Sequence, residues 1–184
     1  VIVLSPNAIM RLSTFYPERP IPKIFRLVKN GKLIEGVYEG ETLNTPSMFC
    51  VADALDSLMW IEEIGGIKET IQRSDKNFEC LQGWVDQTPW IENLVNNPNN
   101  RSNTSVCLKF SDKRIVSLKK DEQTHFVKKF VGLLESENAA FDIKGHRNAP
   151  PGLRIWCGAT VNLDDIQNLL PWLDWCFQEI ISTY

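Results

Sequence analysis

The chain has 184 residues, a formal net charge of −3, 43% hydrophobic residues and 23% charged ones. That apolar share is enough to fill a core, which argues against global disorder. The slight acidity argues against a dedicated nucleic-acid binder, whose footprint is a basic surplus, and no run of about 18 apolar residues is present to make a transmembrane helix.

Val1-Ile2-Val3-Leu4 reads as a strand. It follows no starting Met and no basic region, and it is too short for a signal peptide. Three aliphatic residues at the first positions look like the interior of a buried strand, so the chain is expected to be a piece of a longer protein. Ser5-Pro6 predicts an N-cap and a helix over 6–14. Pro17, Pro20 and Pro22 interrupt regular structure. Gly31, Gly36 and Gly40 among charged residues predict a loop or a weak hairpin over 31–45.

From Ser47 the apolar residues Met48, Val51, Leu55, Leu58 and Met59 keep a helical period up to Ile64, and Gly65-Gly66 should stop it. A second helix is expected over 67–85, with Ile67, Ile71, Phe78 and Leu81 on one side. Asn96 to Asn100 is a turn cluster. Ser105 to Phe110 alternates as a strand. Asp121 to Glu135 is an amphipathic helix with Phe126, Val127, Phe130, Val131 and Leu134 on its apolar face. Short strands are expected at 141–144 and 153–157. A last helix begins at Asn162 or Asp164, and Pro171 should kink or restart it. From Ser105 onward the order is strand, helix, strand, strand, helix, which makes a small α+β layer with helices on one face of a sheet.

The cysteines Cys50, Cys80, Cys107, Cys157 and Cys176 are odd in number and contain no CxxC pair. This speaks against a compact zinc site and against a secreted disulfide framework, and it fits small apolar residues in a reducing compartment. His125, four residues after Asp121, reads as a surface histidine. Asp53, Asp56, Glu62 and Glu63 read as the solvated side of a helix. The six tryptophans read as core or interface residues, with Trp172 and Trp175 expected to cover the sheet.

Two stretches can carry chemistry. Gly145 to Arg154 joins two expected strands and holds His146, Arg147 and Arg154, with Pro150-Pro151 to stiffen it. Arginine's planar fork suits carboxylates and phosphates; the plain alternative is a surface loop with stray basic residues. Glu41 to Ser47 precedes a helix, whose free N–H groups favour an anion. Asn44 and Thr45 add neutral donors there, although Thr45 or Ser47 as a simple cap explains the same residues. No Ser-His-Asp set, phosphate-binding loop or dinucleotide fingerprint is visible.

Taken together, Leu4-Ser5-Pro6, Pro22 to Leu27, Glu41 to Ser47, Arg101 to Leu108, Pro150 to Thr160 and Pro171 to Trp175 resemble the C-terminal half of the phosphoserine aminotransferase family, most of all its alphaproteobacterial variety. The resemblance runs over essentially the whole chain. It implies an α/β fold, the PLP-dependent aminotransferase fold type I. Residues 1–66 would be the end of the large, pyridoxal-phosphate-binding domain, and residues 67–184 the complete small α+β domain.

It implies a cytoplasmic homodimer of serine biosynthesis that acts on phosphoserine and 2-oxoglutarate and uses pyridoxal 5'-phosphate. Asn44 and Thr45 would reach the cofactor phosphate of the neighbouring subunit. His146 and Arg147 would receive the substrate phosphate, and Arg154 the α-carboxylate. The reading expects His146 and Arg154 to face one common hollow. The loop departs from the enterobacterial pattern, with prolines for a glycine pair and one more residue before the last arginine. No lysine here stands in the family's Schiff-base motif. The aspartate for the pyridinium nitrogen and the aromatic over the ring are not here either. No catalytic residue and no metal ligand is therefore expected in these residues.

Two rival readings remain at this point. A related aminotransferase of alanine–glyoxylate or serine–glyoxylate type has no phosphate for the His146-Arg147 pair to hold. A non-catalytic α+β binding module would use the small domain alone.

Overall fold

The computed structural model describes residues 3–184, so Val1 and Ile2 of the expected opening strand lie outside the described residues. Val3 and Leu4 pair with no strand. A strand needs a neighbour for its N–H and C=O groups, and none is offered there among the described residues. The chain divides into two compact units, Val1–Leu58 and Met59–Tyr184.

In the first unit, helix α1 (Pro6–Thr14) starts as its sequence dictates, with the Ser5 side chain accepting from the Ala8 N–H and Pro6 in the first turn. The proline-rich segment leads to a single 3-10 turn, Lys23–Phe25. The glycine-containing stretch makes a small hairpin of β1 (Val28–Lys29) and β2 (Lys32–Leu33). Asn30 and Gly31 turn it, with φ of 52° and 72°, the sign that a tight hairpin twist demands.

Helix α2 (Met48–Glu63) carries the chain from this unit into the second. The Ser47 hydroxyl accepts from the Cys50 N–H at 3.4 Å, so Ser47 serves as a cap. No residue of α2 is buried, and Met48 and Phe49 are 76% and 75% exposed. Gly65 and Gly66 stop the helix with φ of 114° and 76°, and α3 (Gly66–Gln87) begins at once.

The second unit contains one three-stranded antiparallel sheet in the order β3 (Ile91–Asn93), β4 (Ser105–Phe110), β5 (Leu153–Trp156). The registers Leu108↔Leu153 and Val106↔Ile155 put apolar residues opposite one another on one face. Helices α3, α5 (Lys120–Ser136) and α6 (Leu163–Ile181) cover that face. The expected apolar face of α5 is buried in full, from Phe126 to Leu134. The opposite face of the sheet alternates Ser105, Cys107 and Lys109 on β4 with Arg154 and Trp156 on β5, all half-buried or exposed. Lys109 and its partner Glu92 on β3 form an ion pair there at 3.1 Å.

Aromatic rings fill the core. Trp90 stacks on Phe177 at 4.2 Å between centroids, and Phe110 meets Phe126 edge-on at 4.9 Å. Burial of each such ring contributes roughly 1.5–3 kcal/mol. Trp175 is half-buried and packs against this core, while Trp172, its edge-on neighbour at 5.4 Å, is 39% exposed.

Four further differences from the sequence reading have local causes. Strand β3 is only three residues long, too short to show a period. The one-turn helix α4 (Lys113–Val116) is started by Asp112, whose carboxylate accepts from the Arg114 N–H. The strand expected at 141–144 is reduced to a bridge between Lys144 and Leu153, because Asp142 adopts φ of 54° and breaks the extended run. Pro171 lies inside α6, which passes through it without restarting. Among the described residues no helix is long and apolar enough to cross a membrane.

Candidate functional site

The segment between α5 and β5 folds back on itself. The Arg154 N–H donates to the Ile143 carbonyl at 2.8 Å, and the Gly145 N–H donates to the Gly152 carbonyl at 2.9 Å. The loop at the tip closes with the Ala149 N–H on the His146 carbonyl at 2.8 Å. The His146 ring is held as well: its Nδ1 accepts from the Asn148 N–H at 3.2 Å. An accepting Nδ1 leaves Nε2 as the nitrogen that carries the proton in the neutral ring.

His146 and Arg147 are exposed, and both line a hollow of about 450 Å³. Lys144 and, from the first turn of α5, Lys120 line it too. Its wall contains no carboxylate. Among the described residues Arg147, Lys120 and Lys144 have no ion-pair partner. On a chain of net charge −3, this is a local concentration of unspent positive charge with stiff walls at Pro150 and Pro151. Such a concentration of cations favours a multiply charged anion.

Arg154 lines a separate hollow of about 600 Å³, together with Ser105, Phe141, Asp142, Trp156 and Asp165. The sequence reading expects one common hollow, and the structure corrects it. Arg154 lies on β5 and Lys144 on its pairing partner, while His146 and Arg147 sit beyond the bridge at the loop tip. Arg154 also has a partner of its own: Nη2 donates to Asp142 Oδ2 at 3.1 Å. The Asp142 side chain is 90% exposed, so the pair is worth under about 1 kcal/mol. Nothing in the sequence marks Asp142, which lies twelve residues from Arg154; only the fold-back of the chain joins them. Lys120 was missed for the same reason.

Asn44 and Thr45 lie in the first unit, both exposed, two and one residues before Pro46. Among the described residues neither side chain makes a hydrogen bond within the chain, while Ser47 supplies the cap of α2. Uncommitted neutral donors ahead of a sixteen-residue helix suit an anion such as a phosphate group. The described residues hold no group of three His, Cys, Asp or Glu suited to a metal ion.

The architecture is that of part of the PLP-dependent aminotransferase fold type I. A phosphoserine aminotransferase structure from Bacillus circulans subsp. alkalophilus matches 78% of the chain with TM-score 0.64 at 23% identity, and 36% of that protein is covered. A PLP-bound phosphoserine aminotransferase from Trichomonas vaginalis matches 75% with TM-score 0.62 at 22% identity, again over 36% of its length.

In sequence, the chain is 42% identical over 177 residues to the phosphoserine aminotransferase of Methanosarcina mazei. It is 42% identical over 179 residues to that of Methanosarcina barkeri. Each match takes in 96% of this chain and 45% of the relative, so the chain spans about half the length of the curated relatives it matches. No protein-family model matches the sequence.

Proposed function

We propose that these residues serve, in a protein of the relatives' length, as the C-terminal half of a phosphoserine aminotransferase. The carrying observation is the 42% identity over 96% of the chain. The acid-free cationic hollow at His146 and Arg147 supports it, because a phosphorylated substrate needs such a hollow and an unphosphorylated one does not. The reaction moves an amino group from phosphoserine to 2-oxoglutarate and yields 3-phosphohydroxypyruvate and glutamate. In this reading residues 1–66 close the large domain, residues 67–184 form the small domain, and the enzyme is a cytoplasmic homodimer.

Bound pyridoxal phosphate supplies the electron sink that such a transfer requires. Asn44 and Thr45 donate to its phosphate across the dimer. His146, through Nε2, and Arg147, through its guanidinium, hold the substrate phosphate. Arg154 holds the α-carboxylate with its planar fork. One anion goes to each hollow, so the substrate is fixed at two points and cannot slide.

Replacing Arg147 with Ala in the full-length protein should lower kcat/KM for phosphoserine about a hundredfold, the scale of a lost charge-assisted phosphate contact. Transamination of alanine should be unchanged. An equal loss with alanine would favour the glyoxylate-type reading. Full activity of the variant with phosphoserine would remove the phosphate role of this hollow.

A further inference from the structure

We propose that Asp142 is a specificity-determining residue which keeps phosphate out of the Arg154 hollow and reserves that arginine for a carboxylate. The inference rests on the reading of the two hollows as anion sites and adds the rule that sorts their ligands.

Phosphoserine carries a phosphate at one end and a carboxylate at the other. Both are ligands that a guanidinium fork accepts. An arginine alone therefore does not distinguish them, and a substrate bound end-for-end would be unproductive. The two hollows differ in the charge that surrounds their cations. The His146-Arg147 hollow adds Lys120 and Lys144 and contains no carboxylate. The Arg154 hollow has one cation and two carboxylates, Asp142 and Asp165.

These two acids differ in their engagement. Asp165 is committed to the start of α6, where its Oδ2 accepts from the Asn162 N–H at 3.2 Å. Asp142 is 90% exposed and touches the guanidinium at one arm only, through Nη2 at 3.1 Å. Four of the five N–H donors of Arg154 have no side-chain partner among the described residues. A monoanionic carboxylate therefore finds most of the fork free and meets moderate repulsion from Asp142. A dianion feels the attraction of Arg154 and the repulsion of Asp142 both doubled, so the charge of Asp142 cancels the arginine's pull and removes about twice as much binding energy from phosphate as from a carboxylate. Asp142 has φ of 54°, a left-handed conformation that Asp and Asn adopt more readily than other residues with side chains.

The experiment uses the 184-residue chain with inorganic phosphate and acetate as probes, titrated separately at constant ionic strength above the second ionisation of phosphate. The Nε–H resonances of Arg154 and Arg147 are followed by 15N NMR. In the wild type, Arg154 should respond to acetate and be nearly silent to phosphate, whereas Arg147 should favour phosphate. In Asp142→Asn, which keeps the left-handed backbone and removes only the charge, the phosphate-to-acetate preference at Arg154 should rise about fivefold or more, the scale set by one charge at a few ångströms in a solvated site. Asp165→Asn should move it less.

A wild-type Arg154 that takes phosphate as readily as acetate overturns the proposal, and so does an Asp142→Asn preference equal to the wild type's. Silence of Arg147 to phosphate, with the Arg154 pattern as expected, would instead strike at the assignment of the other hollow and leave the role of Asp142 standing.

Discussion

Asn77 of α3 donates through Nδ2 to the carbonyl oxygen of Val161 at 2.9 Å, and so pins the turn that leads out of the sheet into α6. The same amide group reaches the Cys157 carbonyl at 3.3 Å. Asn77 is 1% exposed, so these carbonyls have exchanged water for one side chain. Arg73, one turn earlier on α3, ties the same turn from outside by donating to the Ala159 carbonyl at 2.9 Å and to Asn162 Oδ1 at 2.9 Å.

Asn77→Leu should destabilise the chain by about 1–3 kcal/mol, the cost of leaving buried acceptors without a donor. Asn77→Asp should be at least as damaging, because a carboxylate brings acceptors to face acceptors. Urea denaturation followed by far-UV circular dichroism measures both. A midpoint within error of the wild type for either variant would show that water replaces the amide at no cost.

Trp90 has a different kind of leverage. Its ring lies parallel to Phe177 on α6 at 4.2 Å, and it also stacks on Phe110 of β4 at 5.9 Å. One side chain from the α3–β3 connection thereby bridges the sheet and the helix layer. Trp90→Ala should cost about 3–5 kcal/mol, while Trp172→Ala, at a 39% exposed position, should cost far less. Thermal unfolding of the two variants side by side decides this, and equal losses would contradict the stacking geometry.

How far the sequence discloses the fold depends on whether the informative signal is local. Helix α5 and strand β4 are legible because each repeats its apolar residues often enough to define a period: Phe126, Val127, Phe130, Val131 and Leu134 in one, and Val106, Leu108 and Phe110 in the other. Strand β3 offers only Ile91 and Asn93 to the core. Nothing local identifies Asn77 as a core residue either, since its partners are eighty to eighty-four residues away. The same division holds in the site. His146, Arg147 and Arg154 stand out by chemistry and spacing. Their distribution over two hollows, with Lys120 in one and Asp142 in the other, follows only from how the chain folds back between Ile143 and Arg154.

That fold-back needs the smallest residue at one point. A Cβ placed on Gly152 would collide with the carbonyl oxygen of Leu108 in the middle of β4. Backbone cannot swing aside as a flexible side chain does, so either β5 must pull away from β4 or the loop must rebuild. Gly152→Ala should therefore weaken the whole unit and also disturb the His146-Arg147 loop that starts at Gly145, whose N–H bonds to the Gly152 carbonyl. Gly83→Ala, where nothing beyond the helix's own adjacent backbone lies within 4 Å of the added carbon, is the matched control. It should be neutral or stabilising, as alanine is the better helix former. Thermal melts of both variants, with the amide shifts of 145–149 as a second reading, test the pair. A Gly152→Ala protein as stable as the Gly83→Ala one would refute the close approach.

Burial pushes the thiols of Cys157 and Cys176 up from an ordinary value of 9.0 to about 12, because a thiolate cannot be solvated among apolar side chains. Cys50 on α2 is exposed. An alkylating reagent near pH 8 should therefore modify Cys50 first and leave Cys157 and Cys176 untouched until the chain unfolds, as peptide mass spectrometry after graded labelling would show. The same shifts set the alkaline limit of stability. Below about pH 9 both forms of the chain keep these protons and the thiols impose no pH dependence. Between about 9 and 12 the unfolded chain releases protons that the folded chain retains, so stability falls as pH rises through that window. Cys157→Ser would put a hydroxyl in the same buried place and complicate the comparison. Cys176→Ala removes one titrating group cleanly, and it should flatten the alkaline slope of the urea midpoint even if it lowers the midpoint itself. An unchanged slope in that variant, or early labelling of Cys176 in the native chain, would mean that the thiol is reached by solvent.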